Sequence, residues 1–334
     1  MKRIALIGCG AIARSFHLPA LTRHSGEAIE VVLVDPDVER ARSLGADFGV
    51  TNVASSHRDV AGELDAAVIA TPHHLHVPIA TDLVGAGVHV LSEKPLGTTV
   101  AEVEGLRDLA AEHGVVVAVN QTRRFIPAAG DIRRRIQAGE LGQRIEVDAN
   151  EGDRFGWPAA TPSMFGARSG GKGLLLDIGA HVLDMMVWWF GPDLEVEEYR
   201  DESMGGSEAS VLARLRSDRV AITVRLSWLA KQRNAYRIVG DAGRIDWGVY
   251  DLDEYRLSGP DGSGGRAVTV PGAPGSLAAL GPRVLTDFLD AVAGKGAPMA
   301  GPADVLPSMH LMDTCYGSRS RFDMPWHALE RGTA

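Results

Sequence analysis

Along the first 120 positions, apolar residues come in short unbroken runs separated by longer stretches where they recur every three or four residues. The runs at residues 3–7, 30–34, 66–70, 88–91 and 115–119 are rich in valine, isoleucine and alanine, and each predicts a strand. The intervening segments 11–24, 37–48, 75–86 and 99–113 have helical spacing. The last of these opens with Thr98 or Thr99 as N-cap and Glu102 three or four positions on, a capping-box pattern. Strands that are apolar along their whole length have no face to offer water. Their alternation with helices predicts a doubly wound α/β unit, a parallel Rossmann sheet covered on both faces, over residues 1–120.

Beyond residue 121 the texture changes. Segments 127–138 and 176–189 read as helices, the second ended by Gly191-Pro192. Runs at 211–216, 220–228, 236–239 and 266–270 read as strands, several alternating apolar and polar, with tight turns at Asp218-Arg219 and at 241–243. Glycine-rich loops follow at 259–265 and 272–275, and helices at 280–293 and 303–318 end the pattern. Residues 121–334 therefore predict an α+β domain, a mainly antiparallel open-faced sheet backed by helices, whose last helix can pack back on the first domain. An open sheet face is commonly covered by a second copy, which predicts a homodimer or homotetramer through this sheet.

Residues 8–13 read Gly-Cys-Gly-Ala-Ile-Ala and join the first strand to the first helix. In such a turn Gly8 makes the tight bend, Gly10 lets backbone approach a pyrophosphate, and Ala13 permits close packing of helix on strand. Ala11 and Ile12 supply the free N–H groups at the positive end of the helix. Asp35 ends the second strand, where a carboxylate can hold both ribose hydroxyls and repel a 2′-phosphate, favouring NAD over NADP. Arg40, the nearest basic residue, is expected on the solvated face of the following helix.

Composition narrows the field. The 334 residues carry a formal charge of −9, and the pI is about 5.7, which disfavours nucleic acid or an anionic membrane surface as partner. Two cysteines, Cys9 and Cys315, are too few for a disulfide framework and fit a reducing, cytoplasmic setting. No Cys/His cluster has metal-ligand spacing, so no metal is expected. The apolar run at 4–7 is too short for a signal peptide, and no stretch reaches the roughly 18 residues of a membrane span.

Lys94 lies between Glu93 and Pro95 just past a predicted buried strand, at the carboxyl edge where open α/β sheets bind ligands. A cation there can hydrogen-bond a substrate oxygen and stabilise alkoxide charge. Asp177 and His181 are four residues apart at the start of a predicted helix, so both project from one face. An imidazole titrates near neutrality and suits transfer of an alcohol proton.

With these residues in hand, the chain resembles the glucose–fructose oxidoreductase, inositol dehydrogenase and MocA family (Gfo/Idh/MocA). Four matches occur in order: the turn at 8–13, Ala70-Thr71-Pro72 with His76, Glu93-Lys94-Pro95, and 171–181, which reads GKGLLLDIGAH against the family's G-G-G-x-x-x-D-x-G-x-H. The resemblance implies an NAD-dependent oxidoreductase moving hydride between nicotinamide and a secondary alcohol or ketone of a sugar, cyclitol or derivative. It gives His181 the acid/base role, Lys94 that of orienting the reacting oxygen, and Asp177 a supporting hydrogen bond. It also implies that Thr71 and Pro72 line the cofactor channel with His76 nearby, that Glu93 reaches the nicotinamide ribose and that Gln121 sits near the ring. Arg123, Arg124 and Asp184 fall where family members contact substrate, and Trp157, in a Gly-Trp-Pro loop, can stack on a sugar. His57, His73, His74, His89 and His113 are expected to have no chemical role. Lys172 departs from the family glycine and could bring a positive charge toward an acidic sugar. Two other readings stay open. One is an enzyme that retains NAD and cleaves glycosidic bonds through transient oxidation. The other is a non-catalytic nucleotide-sensing regulator, which would be expected to lose Lys94 or His181.

Overall fold

The computed structural model describes residues 2–26, 28–156, 158, 172–203 and 206–323. Its first sheet contains β1 (Lys2–Ile7), β2 (Ile29–Val34), β3 (Val53–Ala54), β4 (Ala66–Ile69), β5 (His89–Ser92) and β6 (Val117–Val119). All pairings are parallel, in the order β3-β2-β1-β4-β5-β6. β4 is buried at every residue, as its unbroken apolar run requires. The helices between the strands are α1 (Leu18–Thr22), α2 (Val38–Phe48), α3 (His76–Gly85) and α4 (Val100–His113). Chain direction across the sheet reverses at β1, so a crevice opens between the carboxyl ends of β1 and β4. The capping box on α4 is formed by Thr99 and Glu102. The helix expected over 11–24 starts with a π-helical turn, Ala13–His17, before α1; such turns concentrate at functional sites.

The second domain carries helices α5 (Pro127–Gln137) and α6 (Ala180–Phe190). Its strands are β7 (Ile145–Gly152), β8 (Glu195–Asp201), β9 (Ser210–Arg216), β10 (Val220–Ser227), β11 (Ala235–Gly240), β12 (Arg244–Gly248), β13 (Glu254–Ser258), β14 (Arg266–Thr269) and β15 (Ser320–Arg321). They form one nine-stranded sheet, β14-β13-β12-β11-β7-β10-β9-β8-β15. The expected antiparallel pattern holds over most of it, but β7 pairs with β10, and β15 with β8, in parallel. One face is packed by apolar residues from α5 and α6, among them Ile132, Met185 and Trp189, together with the wholly buried Tyr236, Ile238 and Trp247 of the strands. Each such aliphatic side chain contributes roughly 1.5–3 kcal/mol of burial.

The open face is not the apolar patch that would by itself demand a cover. A single row crosses it from β8 to β13: Glu198, Arg214, Thr223, Asp148, Arg237, Asp246 and Arg256 are successive cross-strand neighbours. Ion pairs Glu198–Arg214 at 2.8 Å, Asp148–Arg225 at 2.5 Å and Asp246–Arg237 at 3.0 Å run along it.

The final helices, α7 (Gly281–Val292) and α8 (Pro302–Gly317), tie the two halves together. Val305, Leu306 and Met309 of α8 join the core of the nucleotide sheet, while Met312 and Cys315 join the core shared with the second domain. Just before α8, Ala300 O accepts from Val119 N of the edge strand β6 at 2.9 Å. Among the described residues no helix is long and apolar enough to cross a membrane.

Candidate active site

The turn after β1 is built for close approach. Gly8 has φ +92°, and a Cβ there would lie 2.6 Å from Ala70 O, so only glycine lets the ends of β1 and β4 come this near. A Cβ at Gly10 would meet nothing within 4 Å, which leaves an open approach to the backbone. Ala11, Ile12 and Ala13 carry the helix start, Ala13 fully buried against the strand. Asp35, 4% exposed, receives Cys9 N at 2.9 Å on Oδ2 and Asp37 N at 2.9 Å on Oδ1, which fixes its carboxylate beside the turn. Cys9 is a packing residue there; burial and the neighbouring Asp35 charge push its thiol up to about 12. Arg40 keeps 36% of its side chain exposed on α2, as expected of a solvated helix face, yet it is not free. Its guanidinium reaches back to Asp35 at 3.3 Å and to Asp37 at 3.0 Å, because a residue one turn into α2 faces the end of β2.

Next to this turn, Thr71 has a buried hydroxyl with no hydrogen-bond partner. Pro72 leads into the short 3-10 turn His73–Leu75. The fully buried His76 ring faces Pro95 O at 2.7 Å and Thr71 O at 2.8 Å, and so pins the Thr71 and Lys94-Pro95 loops together. Burial pushes its pKa down, against the pull of those two carbonyls. A permissive glycine turn, an acceptor aspartate at the ribose position and an orphaned hydroxyl in the channel together fit a dinucleotide.

Glu93 and Lys94 follow β5. The buried Glu93 carboxylate accepts from His17 Nε2 and Asn120 Nδ2, each at 2.7 Å, and from Lys94 N at 3.2 Å. Burial alone would raise its pKa, but the His17 bond and charge, Asn120 and Lys94 outweigh it and hold the acid at about 2. Gln121 is buried just past β6.

Lys94 crosses to the other domain. Its ammonium donates to Asp177 Oδ1 at 2.7 Å and to Asp177 O at 3.0 Å. Asp177 lies in a second π-helical turn, Leu175–Gly179, that runs into α6, where His181 sits one residue inside. Burial works to raise the Asp177 pKa, but the Lys94 charge and hydrogen bond, with His73 and Arg123, bring it below the ordinary value. His181 Nδ1 is buried without a partner, and burial with the Lys94 and Arg123 charges keeps the imidazole neutral far below its usual range. Asp177 is thus spent on Lys94 rather than on His181.

Arg123 reaches the same pocket, since its charge acts on both Asp177 and His181. It is neutralised from behind by Glu151, at 2.5 and 2.7 Å, and touches Tyr236 Oη at 3.1 Å. Arg124 and Asp184, expected at the substrate, are instead given to each other at 2.7 and 2.9 Å, both almost wholly buried. Arg124 also donates to Met299 O at 3.1 Å and Asp304 O at 3.4 Å, so every guanidinium nitrogen is used inside the protein. The geometry assigns this pair to holding the last helices on the core. Lys172 likewise turns away from the pocket, donating to Thr98 O at 2.6 Å and approaching Asp313 at 3.6 Å. Trp157 lies outside the described residues.

Two residues without a forecast chemical role belong to the site. Burial first, and then the Lys94 charge, push the His73 pKa down to about 3 against the opposing pull of Asp177 and Glu93. His17 orders Glu93. His73 falls inside the 70–76 match, and His17 lies one turn beyond the glycine loop. Among the described residues no group of three or more His, Cys, Asp or Glu is arranged to hold a metal ion.

The fold defines a two-domain protein with a parallel Rossmann half and a mixed-sheet second half. Residues 2–121 match the oxidoreductase family with NAD-binding Rossmann fold, and residues 130–246 match the GFO/IDH/MocA C-terminal domain. The chain belongs to the Gfo/Idh/MocA family. It is 31% identical over 192 residues to the rhizopine catabolism protein MocA of Rhizobium meliloti, covering 57% of this chain and 58% of that one. It is 32% identical over 196 residues to myo-inositol dehydrogenase Hyg17 of Streptomyces leeuwenhoekii, covering 57% and 56%. The aligned region thus spans somewhat more than half the length of these relatives. The fold superposes on levoglucosan dehydrogenase, solved with NADH and levoglucosan, with a TM-score of 0.83 at 22% identity, covering 95% and 96% of the two chains.

Proposed function

We propose that the protein is an NAD-dependent oxidoreductase that transfers hydride between a nicotinamide cofactor and a secondary alcohol or ketone of a sugar or cyclitol. The observation that carries this reading is the Lys94–Asp177 ion pair. It joins the end of a nucleotide-domain strand to a helix of the other domain, beside a histidine with an unpartnered ring nitrogen. The relatives named myo-inositol dehydrogenase and levoglucosan dehydrogenase support the substrate class.

NAD, when bound, supplies the hydride acceptor. Residues 8–13 would hold its pyrophosphate and Asp35 its ribose, and Thr71, Pro72, Glu93 and Gln121 would line the channel toward the ring. Lys94 donates to the reacting oxygen and opposes its developing negative charge. Asp177 keeps that ammonium in position. His181, neutral at physiological pH, is ready to take the hydroxyl proton, so the resting protonation state suits alcohol oxidation. Among the described residues each cation at the pocket already has a carboxylate, Lys94 with Asp177 and Arg123 with Glu151. An uncharged polyol matches that balance better than a sugar acid. Asp35 favours NAD, and Arg40 beside it leaves some tolerance for NADP. The open sheet face is a candidate surface for a homodimer or homotetramer, and the working compartment is the cytoplasm.

The test is a spectrophotometric screen of NAD+ and NADP+ against inositols, neutral aldoses, anhydrosugars and sugar acids. Steady NADH production with a neutral polyol supports the reading. A single NADH burst without turnover supports the glycosidic alternative, and no reaction with any member contradicts a dehydrogenase.

A further inference from the structure

The start of the helix that carries Asp177 and His181 is held by one residue from a distant part of the chain. Glu208, fully buried, lies just before β9. Its carboxylate accepts Gly173 N at 3.1 Å and Leu175 N at 2.8 Å, and its carbonyl accepts Leu174 N at 3.0 Å. Three successive N–H groups at the helix start therefore end on Glu208. Gly173 is needed for this, because a Cβ there would lie 2.5 Å from Glu208 O and 2.9 Å from Glu208 N. Asp177 follows two residues after Leu175, its N–H closing back on Gly173 O at 3.1 Å.

Glu208 is itself clamped from the end of α8. Tyr316 Oη donates to it at 2.9 Å and Arg319 Nη2 at 3.0 Å. Arg319 also pairs with the buried Asp201 at 2.7 Å. The Tyr316 ring contacts both the Arg319 guanidinium, 5.1 Å from its centroid, and the Lys172 ammonium, at 5.2 Å, and Lys172 continues to Thr98 O on the nucleotide domain. An ordinary cap satisfies one or two amides with a surface side chain. Here a buried carboxylate, backed by two side chains, sets the position of a helix start four residues before Asp177 and eight before His181.

We propose that Glu208 is a positioning residue that registers Asp177 and His181 against Lys94. The kinetic consequence rests on the function proposed above; the structural consequence does not. The same contacts use up the helix's positive end, so it is closed to an anionic substrate group.

The variants are Glu208→Ala, Glu208→Gln and Tyr316→Phe in the full chain. Amide hydrogen exchange of residues 173–181 is read without substrate, NADH affinity by fluorescence, and kcat and KM with the fastest polyol of the panel. Misplacement of reacting groups by about 1 Å can cost about a hundredfold in rate. Glu208→Ala is expected to speed exchange at 173–181 and to lower kcat by about tenfold to a hundredfold, with KM less affected. NADH affinity should stay within about twofold, because the nucleotide turn is untouched. Glu208→Gln, which keeps an acceptor oxygen, should recover most of kcat. Tyr316→Phe removes one donor only and carries the test if Glu208→Ala does not fold; it should show the same two changes, smaller. Wild-type exchange and kcat in Glu208→Ala or Tyr316→Phe would overturn the proposal, as would a lower Tm with both unchanged. If the wild type oxidises no polyol, the exchange measurement still decides the role of Glu208. If it does and the variants match it, only the positioning role is lost.

Discussion

Replacing Lys94 with methionine keeps the stem and removes the ammonium. Two contacts go with it, 2.7 Å to Asp177 Oδ1 and 3.0 Å to Asp177 O. The two side chains are 12% and 23% exposed, so the pair is screened only in part. A hydrogen bond to a charged group is worth about 1.5–3 kcal/mol, and water reaching Asp177 recovers a share, so unfolding free energy should fall by about 2 kcal/mol. The kinetic loss should be larger. Losing one preorganised donor to a developing oxyanion costs about 10²–10³ in rate. Asp177 also loses the cation that holds its pKa below the ordinary carboxylate value, and burial then drives it upward. We expect kcat/KM to fall by about a thousandfold while NADH affinity changes less than about threefold. The assay is NADH formation with the best polyol, beside NADH titration and urea unfolding. If Lys94→Met retains kcat/KM within about tenfold of wild type and binds NADH normally, Lys94 does not act on the reacting oxygen.

His181 has its pKa lowered, so it stays neutral through the ordinary histidine range. The acid limb of kcat/KM for oxidation should lie well below pH 6.5, and a limb at 6.5 would mean an ordinary, solvated base. His73, His76 and His181 all have folded pKa values below the unfolded one, so they contribute stability above pH 6.5 that is lost as pH falls. Tm should therefore drop between about pH 6.5 and 4, and a flat Tm across that window would contradict neutral burial of these rings. Asp35→Ser removes the carboxylate that occupies Arg40 and should shift NADP over NAD by about tenfold or more, read as the ratio of kcat/KM values. Arg124→Met strands the buried Asp184 and should cost about 3–5 kcal/mol of stability by urea unfolding; a marked rise in substrate KM with little loss of stability would return Arg124 to the substrate pocket.

The nucleotide domain was legible because its strands are unbroken apolar runs and its turn must be glycine. In the second domain's sheet the sequence points to β9, β10, β11 and β14, and β7, β8, β12 and β13 lie outside its expected strands. In β7, central to it, Ile145, Val147 and Ala149 alternate with Glu146, Asp148 and Asn150, but Glu151 stands where the next apolar residue is due. Glu151 neutralises Arg123, so that departure follows from what the residue does. Lys94, Asp177 and His181 could be picked out by local motif and spacing. What motif and spacing do not carry is partner choice. Nothing local says that Asp177 pairs with Lys94 and not His181, that Arg124 and Asp184 consume each other, or that Lys172 turns to Thr98. Those outcomes depend on how two domains meet, and so does the arrival of His17 and Glu208 at the site.

The most direct measurement is a crystal structure of the protein with NAD+ and a polyol that it oxidises. The nicotinamide C4 should sit about 3–3.5 Å from a carbinol carbon whose oxygen lies within hydrogen-bond reach of both Lys94 Nζ and the His181 ring. A nicotinamide ring bound away from those two side chains, or a reacting hydroxyl that touches neither, would contradict it.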